Sequence, residues 1–391
     1  MTLVTPDQSA LAEALGAAGA DGWLLYDFQG VNPVLGQVLG VGGMGSRRLF
    51  VYLPRSGEPV AVAHRIELQS VAGFPGRIIP YSRWEELHEA LRSVVAGKRV
   101  AMEVAEDDAV PYLDRVPSGV VQLLQKLGGT VVPSAALVTR FASVWSAGDL
   151  ADHMAAAAVL KRVAIAALER AVVAGGTGLT ESALQQEVVA ALHEGGLAFD
   201  HPPIVGFGPN AANPHYEPRP GADRTLGRDE VVLLDLWGGR QLGAVHADQT
   251  WMGFSGARPP AEVLKVWETV RDARDAAIEF VQSGWAAGRP LHGYEVDRVA
   301  RGVITRAGFG DAFVHRTGHS IDHRLHGSGP HLDDYETHDN RQFLAGTGFS
   351  VEPGIYLTGR FGVRSEVNMY LAPGEAVVTP SGPQRDLITG A

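Results

Sequence analysis

The chain contains no cysteine, which removes disulfides, thiolate metal sites and a cysteine nucleophile from consideration. It also lacks a basic excess. Against 44 Asp and Glu stand 33 Lys and Arg, a net charge of -11, the wrong sign for a protein that grips a phosphate backbone. No uninterrupted apolar run approaches the roughly 20 residues that span a bilayer. The opening residues, Met1-Thr2-Leu3-Val4-Thr5-Pro6, show no basic stretch followed by an apolar one, so no secretory leader is read. These absences lead to the expectation of a cytoplasmic enzyme with neither nucleic acid nor membrane as a partner.

What is present fits a globular enzyme. At 391 residues the chain is too long for one ordinary core, and two domains are expected. Residues 1–145 alternate helical and strand patterns and read as a smaller α/β domain. A helix is expected near Gln8–Gly19 and another at Trp84–Ala96. Strands are expected at Trp23–Tyr26, Leu49–Leu53, Arg99–Glu103 and Thr130–Val132. Residues 146–391 read as α+β. An alanine-rich helix over Asp149–Val173 stops at Gly175-Gly176, and a second helix follows Thr180 as N-cap. A hairpin of Val231–Trp237 and Val245–Phe254 precedes a helix at Ala261–Gln282. The next expected elements are a helix at Tyr294–Ala307 and strands at Phe313–Ile321, Gly348–Leu357 and Val363–Leu371. Helices and hairpins in two halves suggest a pseudo-symmetric domain with its site between the halves.

Four acids stand inside these strand patterns. Asp235 ends the apolar run Val231–Leu234, Asp248 lies on the returning strand, and Glu352 and Glu366 follow near the end of the chain. A buried charge is costly without a partner. Four carboxylates side by side raise one another's pKa, a conflict that bound cations resolve. Six of the fourteen histidines fall between His315 and His338. His315, His319 and His323 are spaced by four, but Gly318 disfavours a helix there, and spacing does not choose among them. A solvated histidine-rich loop is the plain alternative.

The pieces Arg316-Thr317-Gly318-His319, His326 seven residues later, Val351–Tyr356 and Arg364-Ser365-Glu366 resemble the pita-bread metallopeptidases. That family includes aminopeptidase P, prolidase and methionine aminopeptidase. The upstream pieces Gly208-Pro209-Asn210, Pro214-His215-Tyr216, Leu233–Asp235 and Ala247–Thr250 agree in order, so the likeness covers about residues 200–370. It implies a carboxyl-terminal pita-bread catalytic domain with a smaller creatinase-type α/β domain before it. It implies two divalent metal ions held by Asp235, Asp248, His319, Glu352 and Glu366, with the two metals sharing the attacking water or hydroxide. Glu352 would also shuttle the proton, His215 and His326 would contact substrate and steady the intermediate, Tyr356 would wall a proline pocket, and Arg364 would orient Glu366 or the nearby backbone. Four carboxylates to one imidazole suit manganese, with cobalt or zinc also compatible. The resemblance further implies a homodimer.

This chain departs from the pattern in places. The Asp235–Asp248 interval is two residues longer, Trp251 stands where relatives carry a basic residue, Gly327 replaces an acid, and Asp322 and His323 are unusual there. Within the family, the amino-terminal domain and the intact ligands point to proline-directed cleavage. Hydrolysis of Xaa-Pro dipeptides is expected, with aminopeptidase P activity on longer Xaa-Pro peptides as the alternative and a non-catalytic binding protein as a third reading. A dipeptidase needs a basic group for the substrate carboxylate, for which Arg341 and His338 are the candidates, with Arg324 and Arg360 behind them.

Overall fold

The computed structural model describes residues 5–40 and 45–390; Met1–Val4 of the leader reading lie outside them. Two compact units divide the chain, Met1–Ala142 and Ser143–Ala391.

The first unit contains α1 (Gln8–Ala17), β1 (Gly22–Asp27), α2 (Pro33–Leu39), β2 (Leu49–Pro54), β3 (Val60–His64) and β4 (Arg77–Tyr81). It continues through α3 (Trp84–Val95), β5 (Arg99–Met102), α4 (Ser118–Lys126), β6 (Thr130–Pro133) and α5 (Ala135–Ala142). Its six strands form one sheet in the order β4-β3-β2-β1-β5-β6. Phe50 and Tyr52 pack on one face of that sheet while Val51 and Leu53 pack on the other. Burial on both faces is why β2 is a continuous apolar run rather than an alternating one.

The second unit opens with α6 (Ala147–Val173) and α7 (Glu181–Glu194). Ser146 and Asp149 form a reciprocal capping box on α6, and Thr180 Oγ1 accepts from Ala183 N at 3.2 Å to cap α7. Then come β7 (Ile204–Phe207), β8 (Val231–Gly238), β9 (Ala247–Phe254), α8 (Ala261–Ala286) and α9 (Gly293–Arg306). Short strands close the unit: β10 (Ser320–Ile321), β11 (Gly348–Val351), β12 (Gly354–Leu357), β13 (Phe361–Arg364), β14 (Val367–Ala372), β15 (Glu375–Thr379) and β16 (Ile388–Thr389). Two four-stranded sheets result, β16-β9-β8-β7 and β10-β11-β14-β15, with β12-β13 as a separate ribbon.

Three expected strands are corrected. Phe313–Ile321 is strand over Ser320–Ile321 and irregular before it, because Arg301 takes the carbonyls of Phe313 and His315 away from any ladder. Gly348–Leu357 is two strands, broken at Glu352-Pro353, where proline has no N–H to continue a ladder. Val363–Leu371 is likewise broken at Ser365-Glu366. Both glutamates therefore stand where the chain leaves one sheet for another, which frees their side chains from the alternation of a regular strand.

Candidate metal centre

The site begins with the register of one hairpin. Asp235 on β8 pairs across with Thr250 on β9, and Trp237 pairs with Asp248. Directly opposed residues share a face, as do residues two apart on one strand, so Asp235, Thr250 and Asp248 all project to the same side. The second sheet is joined to this face by two hydrogen bonds, Glu366 N to Thr250 O at 3.3 Å and Asp248 N to Asn368 Oδ1 at 2.9 Å.

His319 enters from the start of β10. Its N–H donates to Ser350 Oγ at 2.9 Å and its carbonyl accepts from Ser350 N at 2.8 Å. The strands approach so closely that a Cβ on Gly318 would lie 2.0 Å from Ser350 O, which explains the glycine before the histidine. His319 Nδ1 lies 3.1 Å from the Ser320 carbonyl. A proton on Nδ1 makes that bond and leaves the Nε2 lone pair facing the acids. Nε2 stands 3.5 Å from Asp248 Oδ2 and 3.3 Å from Glu352 Oε1. Asp248, His319 and Glu366, all buried, offer ligand atoms within 4.8 Å of one another.

The other acids flank this group. Arg364 NH2 donates to Asp235 Oδ2, while Arg364 Nε donates to Thr250 Oγ1 at 3.0 Å. Thr250 Oγ1 in turn donates to Glu366 Oε2 at 2.9 Å. Glu352 Oε1 accepts from Ser350 Oγ at 2.9 Å, and its side chain keeps 14% exposure. Asp235 Oδ1, Asp248 Oδ1 and Glu366 Oε1 are buried with no hydrogen-bond partner. An ionised carboxylate left this way costs several kcal/mol, so the donor set fits divalent cations and fits poorly without them.

Electrostatics agree with that reading. Burial first, then Asp248, Glu352 and Asp235, push the Glu366 carboxyl well above the ordinary range. Burial likewise raises Asp235 even though Arg364 opposes it, because Asp248 and Glu352 add to the repulsion. Glu352 goes the other way: burial acts to raise it but is outweighed by His319, His315, Arg364 and Arg316. His326 packs edge-on against His319, ring centroids 4.4 Å apart, and is held down to about 3 by His319 and by burial. His215 is exposed.

Tyr356 is buried, with its hydroxyl 2.8 Å from His315 Nε2 and 3.3 Å from Arg364 NH1. Arg341 differs from the expected carboxylate fork. Its guanidinium is buried and spent on Asp339 and on the carbonyls of Ser328 and Gly329, at 2.6 to 2.9 Å, so it braces the loop. His338 is half exposed and bonded to Asp334 at 2.6 Å, beside Tyr294, and Arg360 is paired with Glu262 at the surface. His315, Arg316 and Thr250 were missed as participants. Arg316 and His315 both act electrostatically on Glu352. The signal available for Arg316 and Thr250 was their place inside the matched motif pieces, and for His315 its position directly before one of them.

In fold, the chain is similar to dipeptidase PepE from Mycobacterium ulcerans, with a TM-score of 0.74 at 25% identity over 98% of this chain and 97% of that one. It is also similar to prolidase from Thermococcus sibiricus, with a TM-score of 0.70 at 24% identity over 98% of each chain. Fold and site together define a pita-bread metallopeptidase. The chain belongs to metallopeptidase family M24, whose model matches residues 152–373. Among curated relatives, "Probable dipeptidase PepE" of Mycobacterium tuberculosis is 31% identical over 344 residues, 84% of each chain. The Xaa-Pro dipeptidase of Lactobacillus delbrueckii subsp. lactis is 34% identical over 194 residues, 48% of each. The chain is thus a divalent-metal peptidase. No helix among the described residues is long and apolar enough to cross a membrane.

Proposed function

We propose that the protein hydrolyses Xaa-Pro dipeptides with two divalent ions, manganese foremost with cobalt or zinc as alternatives, held by Asp235, Asp248, His319, Glu352 and Glu366. The observation that carries this reading is the set of three partnerless buried carboxylate oxygens on Asp235, Asp248 and Glu366. Asp235 and Glu352 fall outside the tight Asp248–His319–Glu366 group, which supports a second ion position that these two acids would help to hold. Divalent ions held by these residues would lower the pKa of the attacking water and polarise the scissile carbonyl.

The chain's own residues supply the rest. Glu352, partly exposed and hydrogen-bonded by Ser350, takes the proton from the attacking water and delivers it to the departing proline nitrogen. His326, packed beside His319 and held neutral, can donate one hydrogen bond and accept another without adding a cation. With His215 it steadies charge as it develops on the carbonyl oxygen. Tyr356, fixed by His315 and Arg364, forms a rigid wall for the proline ring. Arg316, whose charge reaches both Glu352 and His326, replaces Arg341 as the anchor proposed for the substrate carboxylate. The names of the relatives, dipeptidase and Xaa-Pro dipeptidase, favour a dipeptide substrate.

The first unit is the creatinase-type domain in this reading; a homodimer is carried over from the family resemblance, and a cytoplasmic location from the sequence reading. The test compares Xaa-Pro dipeptides with Xaa-Pro tripeptides, with and without manganese. Metal-dependent cleavage of the dipeptide above the tripeptide is expected. Equal or faster tripeptide cleavage would replace the dipeptidase reading with aminopeptidase P.

A further inference from the structure

Glu181 is the first residue of α7, fully buried, and lies outside the metal cluster. Its carboxylate accepts hydrogen bonds from Phe207 N at 2.7 Å, Asn210 Nδ2 at 3.1 and 3.0 Å, Tyr216 Oη at 2.6 Å and Arg224 N at 2.8 Å. Those donors span residues 207–224, the segment between β7 and β8 that carries His215. The base of the segment is latched at the same place, since Glu181 N donates to Arg224 O at 3.1 Å and Ser182 N donates to Asp223 Oδ2 at 2.7 Å.

Apart from the 3-10 turn Gly208–Ala212, this segment has no regular structure to stiffen it. A connection this long is expected to be mobile unless side chains tie it down. The ties fall on both neighbours of His215. Tyr216 is bonded to Glu181, and the carbonyl of Pro214 accepts from Arg364 NH1 at 3.3 Å. Arg364 is the group that also holds Asp235. On the far side, β13 runs so close to the segment that a Cβ on Gly362 would lie 2.0 Å from Ala211 O. The motif residues Asn210 and Tyr216, which the metal site leaves unexplained, both converge on one buried carboxylate.

We propose that Glu181 is a positioning residue for His215: it clamps the 207–224 segment so that the exposed imidazole is held over the substrate. The inference rests on the assignment of His215 to substrate contact. Displacement of a catalytic group by about 1 Å can cost on the order of 100-fold, so Glu181→Gln lowers kcat/KM between about 10- and 100-fold while bound metal is unchanged.

The test is a double-mutant cycle of Glu181→Gln with His215→Ala, read as kcat/KM on an Xaa-Pro dipeptide with metal content measured in each variant. Loss in the wild-type background, shrinking to less than about twofold when His215 is already gone, is the expected result. An equal loss in both backgrounds, or a fall in metal content, would overturn it. A silent His215→Ala would overturn the His215 assignment itself and the inference with it, whereas an active-site loss in His215→Ala with additive Glu181→Gln would sink the inference alone. Tyr216→Phe deletes a single hydroxyl and carries the same cycle if Glu181→Gln does not fold.

Discussion

Arg364 donates to Asp235 Oδ2 while its Nε holds Thr250, the residue that in turn donates to Glu366. One guanidinium thus fixes acids on both sides of the cluster. Lysine keeps the charge but loses the planar fork. Arg364→Lys is expected to lower kcat/KM by about 10- to 100-fold, the range typical of groups that orient metal ligands. Steady-state kinetics at saturating metal checks it, and activity within about twofold of wild type would remove Arg364 from the account.

Thr250 is a smaller test of the same chain of contacts. Thr250→Val keeps the shape and removes both hydrogen bonds, so Arg364 Nε and Glu366 Oε2 each lose a partner. A destabilisation of about 1–3 kcal/mol is expected in the metal-free protein. Because a cation compensates Glu366, saturating metal should narrow that deficit. Thermal unfolding with and without manganese measures both, and an identical deficit in the two conditions would contradict the coupling.

Metal removal should itself destabilise the fold. A ligand bound to the native state at 100 times its Kd contributes about 2.7 kcal/mol. A chelator should therefore lower the unfolding temperature, and manganese should restore it in a concentration-dependent way. An unfolding temperature indifferent to chelator and metal would count against the buried carboxylates as cation ligands.

Acid stability has a separate source in His153. Its ring is buried, with Nδ1 2.8 Å from the His246 carbonyl and Nε2 2.7 Å from Thr379 Oγ1. Burial lowers its pKa to about 4, against an unfolded value of about 6.5. The folded value is depressed, so above about pH 6.5 the group is neutral in both states and costs nothing. As pH falls from about 6.5 to 4 the unfolded chain gains a proton that the folded chain refuses, and up to about 3 kcal/mol of stability is lost. His153→Asn keeps a donor to the His246 carbonyl and cannot titrate. Denaturant unfolding at pH 7 and pH 5 should show a smaller pH difference in that variant than in the wild type.

How much of this was legible in the sequence follows from where each residue sits. Asp235 stood out because Val231–Leu234 is an apolar run that no acid enters cheaply, and β8 is buried along its whole length. Glu352 and Glu366 were legible as acids in β patterns, yet the breaks beside them were not, because the pairing of β11 with β14 and of β12 with β13 depends on distant partners. His319 could not be chosen from spacing, since residues 313–319 lie outside any regular element and carry no period. Motif likeness supplied it.

In the first unit, β3 and β4 went unread, as did the short helices α2, α4 and α5. Their apolar runs are brief, and packing against the sheet rather than local pattern makes them regular. Arg341 misled because a basic residue upstream of Glu352 satisfies the chemistry of a carboxylate anchor. Only the fold reveals that Asp339 and two carbonyls already claim it. His315 and Arg316 gain their meaning from Tyr356 and Glu352, which the chain brings back some 40 residues later.

The central claim is that the buried acids and His319 hold two divalent ions. Elemental analysis of the purified protein after manganese incubation and desalting, beside Asp248→Asn and Glu366→Gln, tests it most directly. Two ions per chain in the wild type, falling to one or none in each variant, is the predicted result. A wild-type chain that retains no ion, or variants that retain as many as the wild type, would contradict it.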